Sequence, residues 1–131
     1  MLTPREIAEA AVRTLDAKMA KDIKVLHTTS LTVLADYFVL CTATSSTHVK
    51  TLTDECDKAL SERGEPPLRR EGYRGGDWIL LDFGCVIVHV FQKEAREFYN
   101  LEHLWSDAEV VDISRRIRDR RFDADARDMA N

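Results

Sequence analysis

Apolar residues recur at helical spacing near the start of the chain and at strand spacing through its middle, and this change of period divides the sequence into elements. Thr3-Pro4-Arg5-Glu6 predicts a helix start: Thr3 can cap, Pro4 suits the first helical position and Glu6 completes a capping box. Ile7, Ala10, Ala11, Leu15 and Met19 then fall on one side, which predicts a helix to about Lys21 that covers a sheet. A short strand over Asp22–His27 and a polar turn at Thr28-Thr29-Ser30 follow. The run Asp36–Thr42 is apolar on both faces, the pattern of a strand at the centre of a sheet. Ser45 or Ser46 caps a second helix, with Val49, Leu52, Cys56, Ala59 and Leu60 on one side, and Gly64 and Pro66-Pro67 end it. An edge strand over Leu68–Glu71 and a turn at Gly72–Gly76 complete this half.

The stretch Trp78–Phe91 reads as two strands joined through Phe83-Gly84. A two-residue loop there would pair Asp82 with Cys85, Leu80 with Ile87 and Trp78 with His89. Alternation then sorts the side chains. One face carries Ile79, Leu81, Val86, Val88 and Val90, all aliphatic, and belongs beneath the helices. The other carries Trp78, Leu80, Asp82, Cys85, Ile87, His89 and Phe91, a mixture that suits an interface better than a dry core. Glu94–Tyr99 predicts a short helix, with Leu101, Leu104 and Trp105 closing the end of the domain. The expected architecture is therefore α/β, a mixed sheet of roughly five strands with flanking helices. One domain spans residues 1–113, and residues 114–131 form a basic then polar C-terminal tail, helical or frayed.

Composition narrows the function. The 131 residues suit one hydrophobic core, and 44% apolar with 32% charged residues is ordinary for a globular protein. Nineteen Lys and Arg against 23 Asp and Glu give a net charge of −4, so long-range attraction to nucleic acid is not expected. Cys41, Cys56 and Cys85 are odd in number and lack CxxC spacing, which speaks for a reducing compartment and against a zinc site. The N-terminus lacks the pattern of a signal peptide and no apolar run could span a membrane, so a cytoplasmic protein is expected.

Candidate chemistry is sparse. Cys85 and His89, four apart on one strand, would sit roughly 13 Å from each other, too far for a nucleophile pair or a shared metal. His27, His48 and His103 have no acidic or thiol companions at metal spacing. The arginines at 115, 116, 118, 120 and 121 could touch RNA, although such a run is more often a solvated helix face. Neither a catalytic nor a metal site is expected, and no cofactor.

Three segments occur in an order that resembles the Iojap family, the ribosomal silencing factors. They are Ala35–Leu40 with Ser46–Val49; Glu71-Gly72 leading to Trp78–Gly84 and Val88–Phe91; and Arg96–Glu102 with Leu104–Ala108. The resemblance covers residues 4 to 113. Ala43 stands where that family usually has Gly, and Cys85 where an Asp usually follows the hairpin Gly.

The resemblance implies an α/β domain with a nucleotidyltransferase-like outline. It implies binding to the fourteenth protein of the large ribosomal subunit, steric exclusion of the small subunit, repression of translation and homodimerisation when free. If the protein works on a ribosome, its net charge of −4 makes docking on protein rather than RNA the expectation. The candidate partner-binding residues are Tyr73, Trp78, Leu80, Asp82, Phe83 and His89. Phe83 is expected exposed at the hairpin tip, and Asp82 available to a basic patch. His89 is either a partner contact or a buried histidine held by a backbone carbonyl. Two alternatives remain: a nucleotide-dependent transferase-like enzyme, for which the sequence offers neither a Gly-Ser loop nor paired strand carboxylates, and an RNA-binding module using the arginine tail.

Overall fold

The computed structural model describes residues 2–27, 35–73, 76–99 and 109–111, with Tyr73, Phe98, Tyr99 and the last three by their backbone alone. The first helix, α1, runs over Pro4–Ala17 and opens with the predicted capping box: Thr3 Oγ1 accepts from Glu6 N, and Glu6 Oε1 accepts from Thr3 N. It stops a turn earlier than the apolar period suggests. Lys18 caps it, Met19 takes a φ of +71°, and Met19 is 70% exposed rather than on the buried stripe. Leu15 is the last residue of the stripe to be buried.

Strands β1 (Lys21–His27) and β2 (Tyr37–Ala43) follow, then α2 (Ser46–Glu62), capped by Ser45, whose Oγ accepts from His48 N. Gly64, at a φ of +83°, turns the chain after α2. Next come β3 (Arg69–Tyr73), β4 (Trp78–Asp82), β5 (Val86–Gln92), the short α3 (Lys93–Tyr99) and β6 (Glu109–Val111). They form a six-stranded sheet in the order β3-β4-β5-β2-β1-β6. β2 and β5 run parallel, and the other pairs are antiparallel. The sheet is mixed as expected, with β6 added at the outer edge of β1. The polar turn at 28–30, Leu101, Leu104, Trp105 and the tail lie outside the described residues.

The two faces are separately packed. On one, Ile7, Val12 and Leu15 of α1 and Leu52, Cys56 and Leu60 of α2 cover Val39, Leu81, Val88 and Val90. On the other, Ala95 of α3 joins Leu26, Phe38, Leu40 and Phe91, with Trp78 and Ile87 packed at the margin. Phe38 through Ala43 are all buried, which is why β2 reads as apolar on both faces. Cys41 and Cys56 lie in this interior, where desolvation pushes the Cys56 thiol up to about 12 and the Cys41 thiol higher still.

The hairpin keeps the predicted faces for every strand residue but places Cys85 in the turn, on the opposite side from the one expected, and changes its register. Asp82 pairs with Ile87, Leu80 with His89 and Trp78 with Phe91, two residues away from the expected alignment. The central turn residues are Gly84 and Cys85, bracketed by a Phe83 N–H donated to Val86 O at 2.9 Å. Gly84 has a φ of +87° and Cys85 does not share the sign, the arrangement in which a two-residue hairpin places Gly first. An even shift preserves which side chains share a face.

Candidate partner surface

Residues directly opposite one another on neighbouring strands project from the same side of a sheet. Trp78 lies between Tyr73 on β3 and Phe91 on β5, Leu80 between Glu71 and His89, and Asp82 between Arg69 and Ile87. These three rows bring Tyr73, Trp78, Leu80, Asp82 and His89 onto the face opposite α1 and α2. Trp78, Leu80 and Ile87 are half-buried, so the patch combines apolar area with access to solvent.

Trp78 is the best-supported side chain in it. Its ring stacks on Phe91 with centroids 5.0 Å apart and planes 27° apart. Its indole Nε1–H donates to His89 Nδ1 at 3.2 Å, and the two ring centroids are 5.8 Å apart. An indole N–H can only donate, so Nδ1 is the acceptor and the proton of the neutral imidazole sits on Nε2. His89 is 4% exposed and also meets Phe38 edge-on at 5.2 Å. Among the described residues its Nε2 has no hydrogen-bond partner. Burial lowers its pKa to about 4, so the ring is neutral at physiological pH. Of the two expected roles, His89 takes the buried one, held by an indole rather than by a backbone carbonyl.

Asp82 is engaged rather than available. Its Oδ1 accepts from Gly84 N at 2.7 Å, and its Oδ2 accepts from Arg69 Nε and Nη2 at 3.1 and 3.0 Å. Arg69 Nη1 in turn lies 2.6 Å from Glu71 Oε2. The carboxylate therefore clamps the hairpin turn and fixes the rim of the patch. Half-exposed ion pairs of this kind contribute little stability, and their effect is to set geometry and surface charge.

Phe83 departs from expectation. It is 8% exposed and belongs to the core beneath α1 and α2, because the turn begins one residue later and Phe83 continues the inward alternation of Ile79 and Leu81. Cys85 also packs against that side, so it does not share a face with His89 and the two form no Cys–His pair. The side chain of Tyr73 lies outside the described atoms.

Two adjoining grooves of about 460 and 500 Å³ open at the carboxyl ends of β2 and β5, where open α/β sheets commonly take ligands. Their carboxylates are Asp22 at the start of β1 and Glu94 and Glu97 on α3, interleaved with Lys21, Lys24, Lys93 and Arg96. Arg96 Nη1 donates to Asp22 O and, at 2.9 Å, to Thr42 Oγ1, bridging α3 to two strands. Among the described residues, no three His, Cys, Asp or Glu side chains are placed to hold a metal ion, and no helix is long and apolar enough to cross a membrane.

Comparison with known proteins gives one consistent answer. A family described as "Ribosomal silencing factor during starvation" matches residues 2–131. The ribosomal silencing factor RsfS of Halalkalibacterium halodurans is 37% identical over 112 residues, 86% of this chain and 96% of that protein. A mouse protein named for mitochondrial assembly of the ribosomal large subunit is 34% identical over 98 residues, 72% of this chain and 43% of its own length. A crystal structure of a Chromobacterium violaceum protein superposes with a TM-score of 0.77 at 34% identity, over 80% of this chain and 88% of that one.

Proposed function

Because the chain belongs to the ribosomal silencing factor family, we propose that it docks on the fourteenth protein of the large ribosomal subunit and sterically prevents joining with the small subunit. Family membership makes it a ribosome-associated regulator of translation. The docking partner, the steric mode and a cytoplasmic site of action are our reading. Homodimerisation of the free protein belongs to the same reading, C2 pairing being the usual form. Relatives carry the names of silencing and assembly factors rather than of enzymes.

The observation that carries the proposal is the Trp78 patch. A half-buried Trp, stacked and hydrogen-bonded from beneath and flanked by Leu80 and a charged rim, has the make-up of an interface anchor. Blocking subunit joining in this way needs a lasting contact and no bond chemistry.

Sedimentation of purified subunits under joining conditions tests it. The protein is expected to co-migrate with the large subunit and to reduce the joined peak. Joining that proceeds unchanged with the protein in excess would overturn the proposal.

A further inference from the structure

Resting on the docking reading above, we propose that His89 is a positioning residue for the partner surface: its Nδ1 accepts the indole N–H of Trp78 and holds that ring, stacked on Phe91, in the orientation a partner meets. Three observations combine. His89 is 4% exposed, so no partner reaches it without rearrangement of the sheet face. Its Nδ1 lies 3.2 Å from Trp78 Nε1 on the diagonal between β4 and β5, where side chains of neighbouring strands can still touch. Its ring is set in turn by Phe38, edge-on at 5.2 Å, and by Phe91, parallel within 10° at 6.0 Å.

The arrangement is a stack of supports. Phe38 lies on the central strand β2, Phe91 and His89 on β5, and Trp78 on β4 at the exposed end. Without the acceptor at position 89, the indole would keep its apolar neighbours and lose the hydrogen bond that fixes its polar edge. A pre-oriented anchor binds more tightly because less rotamer freedom is lost on docking. The loss is therefore expected in binding, with little change in the fold. Losing one such hydrogen bond should weaken docking about three- to tenfold.

The test uses the full chain in a Trp105→Phe background, so that Trp78 is the sole tryptophan and is excited selectively over the three tyrosines. Binding to purified large subunits and indole emission are measured for His89→Leu, His89→Asn and Trp78→Ala. The Asn amide oxygen can occupy the place of Nδ1 and accept the indole N–H, whereas Leu fills the space and accepts nothing. His89→Leu is expected to bind about three- to tenfold more weakly with altered emission and readier quenching of Trp78, and His89→Asn to recover both readouts. If Trp78→Ala weakens binding while His89→Leu binds and fluoresces as the parent does, the positioning role is overturned and the docking surface stands. If Trp78→Ala binds as the parent does, the docking surface itself falls. Equal loss in His89→Leu and His89→Asn, with Trp78 emission unchanged in both, would also overturn the positioning role and leave packing as the function of the ring.

Discussion

Acid should destabilise this protein through the buried imidazole of His89. In the unfolded chain the imidazole has its ordinary pKa of 6.5, and burial lowers that value to about 4 in the folded state. Between those values the unfolded state binds more protons than the folded one, so stability falls as pH falls. The contribution is fully present above pH 6.5 and exhausted below about pH 4. A difference of about 2.5 units corresponds to about 3 kcal/mol in full, of which about 2 kcal/mol is lost between pH 7.5 and pH 5. Against a typical domain stability of roughly 5–15 kcal/mol, that is a substantial fraction. Protonation would also remove the lone pair that accepts from Trp78, so acid strikes both the burial and the hydrogen bond. The assay is urea unfolding at pH 7.5 and pH 5 for the wild type and for His89→Leu, comparing the change with pH rather than the absolute values. The wild type should lose about 2 kcal/mol more than the variant across that interval. Identical losses in the two proteins would show that His89 keeps an ordinary pKa in the folded state and that its apparent burial does not exclude water.

Other perturbations separate the roles of nearby residues. Trp78→Ala is expected to weaken large-subunit binding by at least about 2 kcal/mol, as central aromatic anchors do, while removal of residues 114–131 should leave it nearly unchanged; both are read by equilibrium binding. Gly84→Ala forces a side chain into a φ of +87° with Leu68 Cδ1 only 3.3 Å away, and should lower unfolding stability by about 1–2 kcal/mol, measured by denaturant titration. Leu81→Ala empties a fully buried site beneath the helices and should lower stability by about 2–5 kcal/mol in the same assay. Native labelling with a thiol reagent should modify Cys85 first, because Cys41 and Cys56 are buried with strongly raised pKa values; simultaneous loss of all three thiols would contradict the packing described.

Much of the architecture could be read from the residues because several local signals agreed. Thr3 and Glu6 announced α1, the Ser45-Ser46 pair announced α2, with Ser45 proving to be the cap, and the apolar run through β2 announced a strand covered on both faces. The hairpin shows where such reasoning fails. Turn chemistry, not hydrophobic pattern, chose the register: Gly84 supplies the positive φ at the first central position, which moves Phe83 out of the turn centre to the position just after β4 and so into the core. Because the displacement is even, the sorting of Trp78, Leu80 and His89 onto one face survived, and the candidate surface was legible for that reason. The end of α1 was missed because Met19 continues the apolar period while itself taking the left-handed turn that ends the helix. β6 carries only three residues and gains its identity from pairing with β1, which no local pattern reveals. The Trp78–His89 hydrogen bond is a diagonal contact, visible only once the register is known.

The parallel pairing of β2 with β5 has a consequence for how the chain reaches this state during synthesis. One edge of β2 is satisfied at once by its sequence neighbour β1, but the other waits for Val86–Gln92 to emerge. Until then Phe38, Leu40 and Cys41, all buried in the finished molecule, stand on a strand with an unpaired edge. A growing chain that stalls before β5 cannot complete its sheet, whatever the quality of its first two helices, and offers a sticky template to its neighbours. The same long-range closure adds loop entropy that must be overcome before the central pair β2 and β5 contributes to the core, so folding should be slow for a chain of this size. A protein that regulates ribosomes thus has its own central sheet closed only after β5 has left the ribosome that makes it.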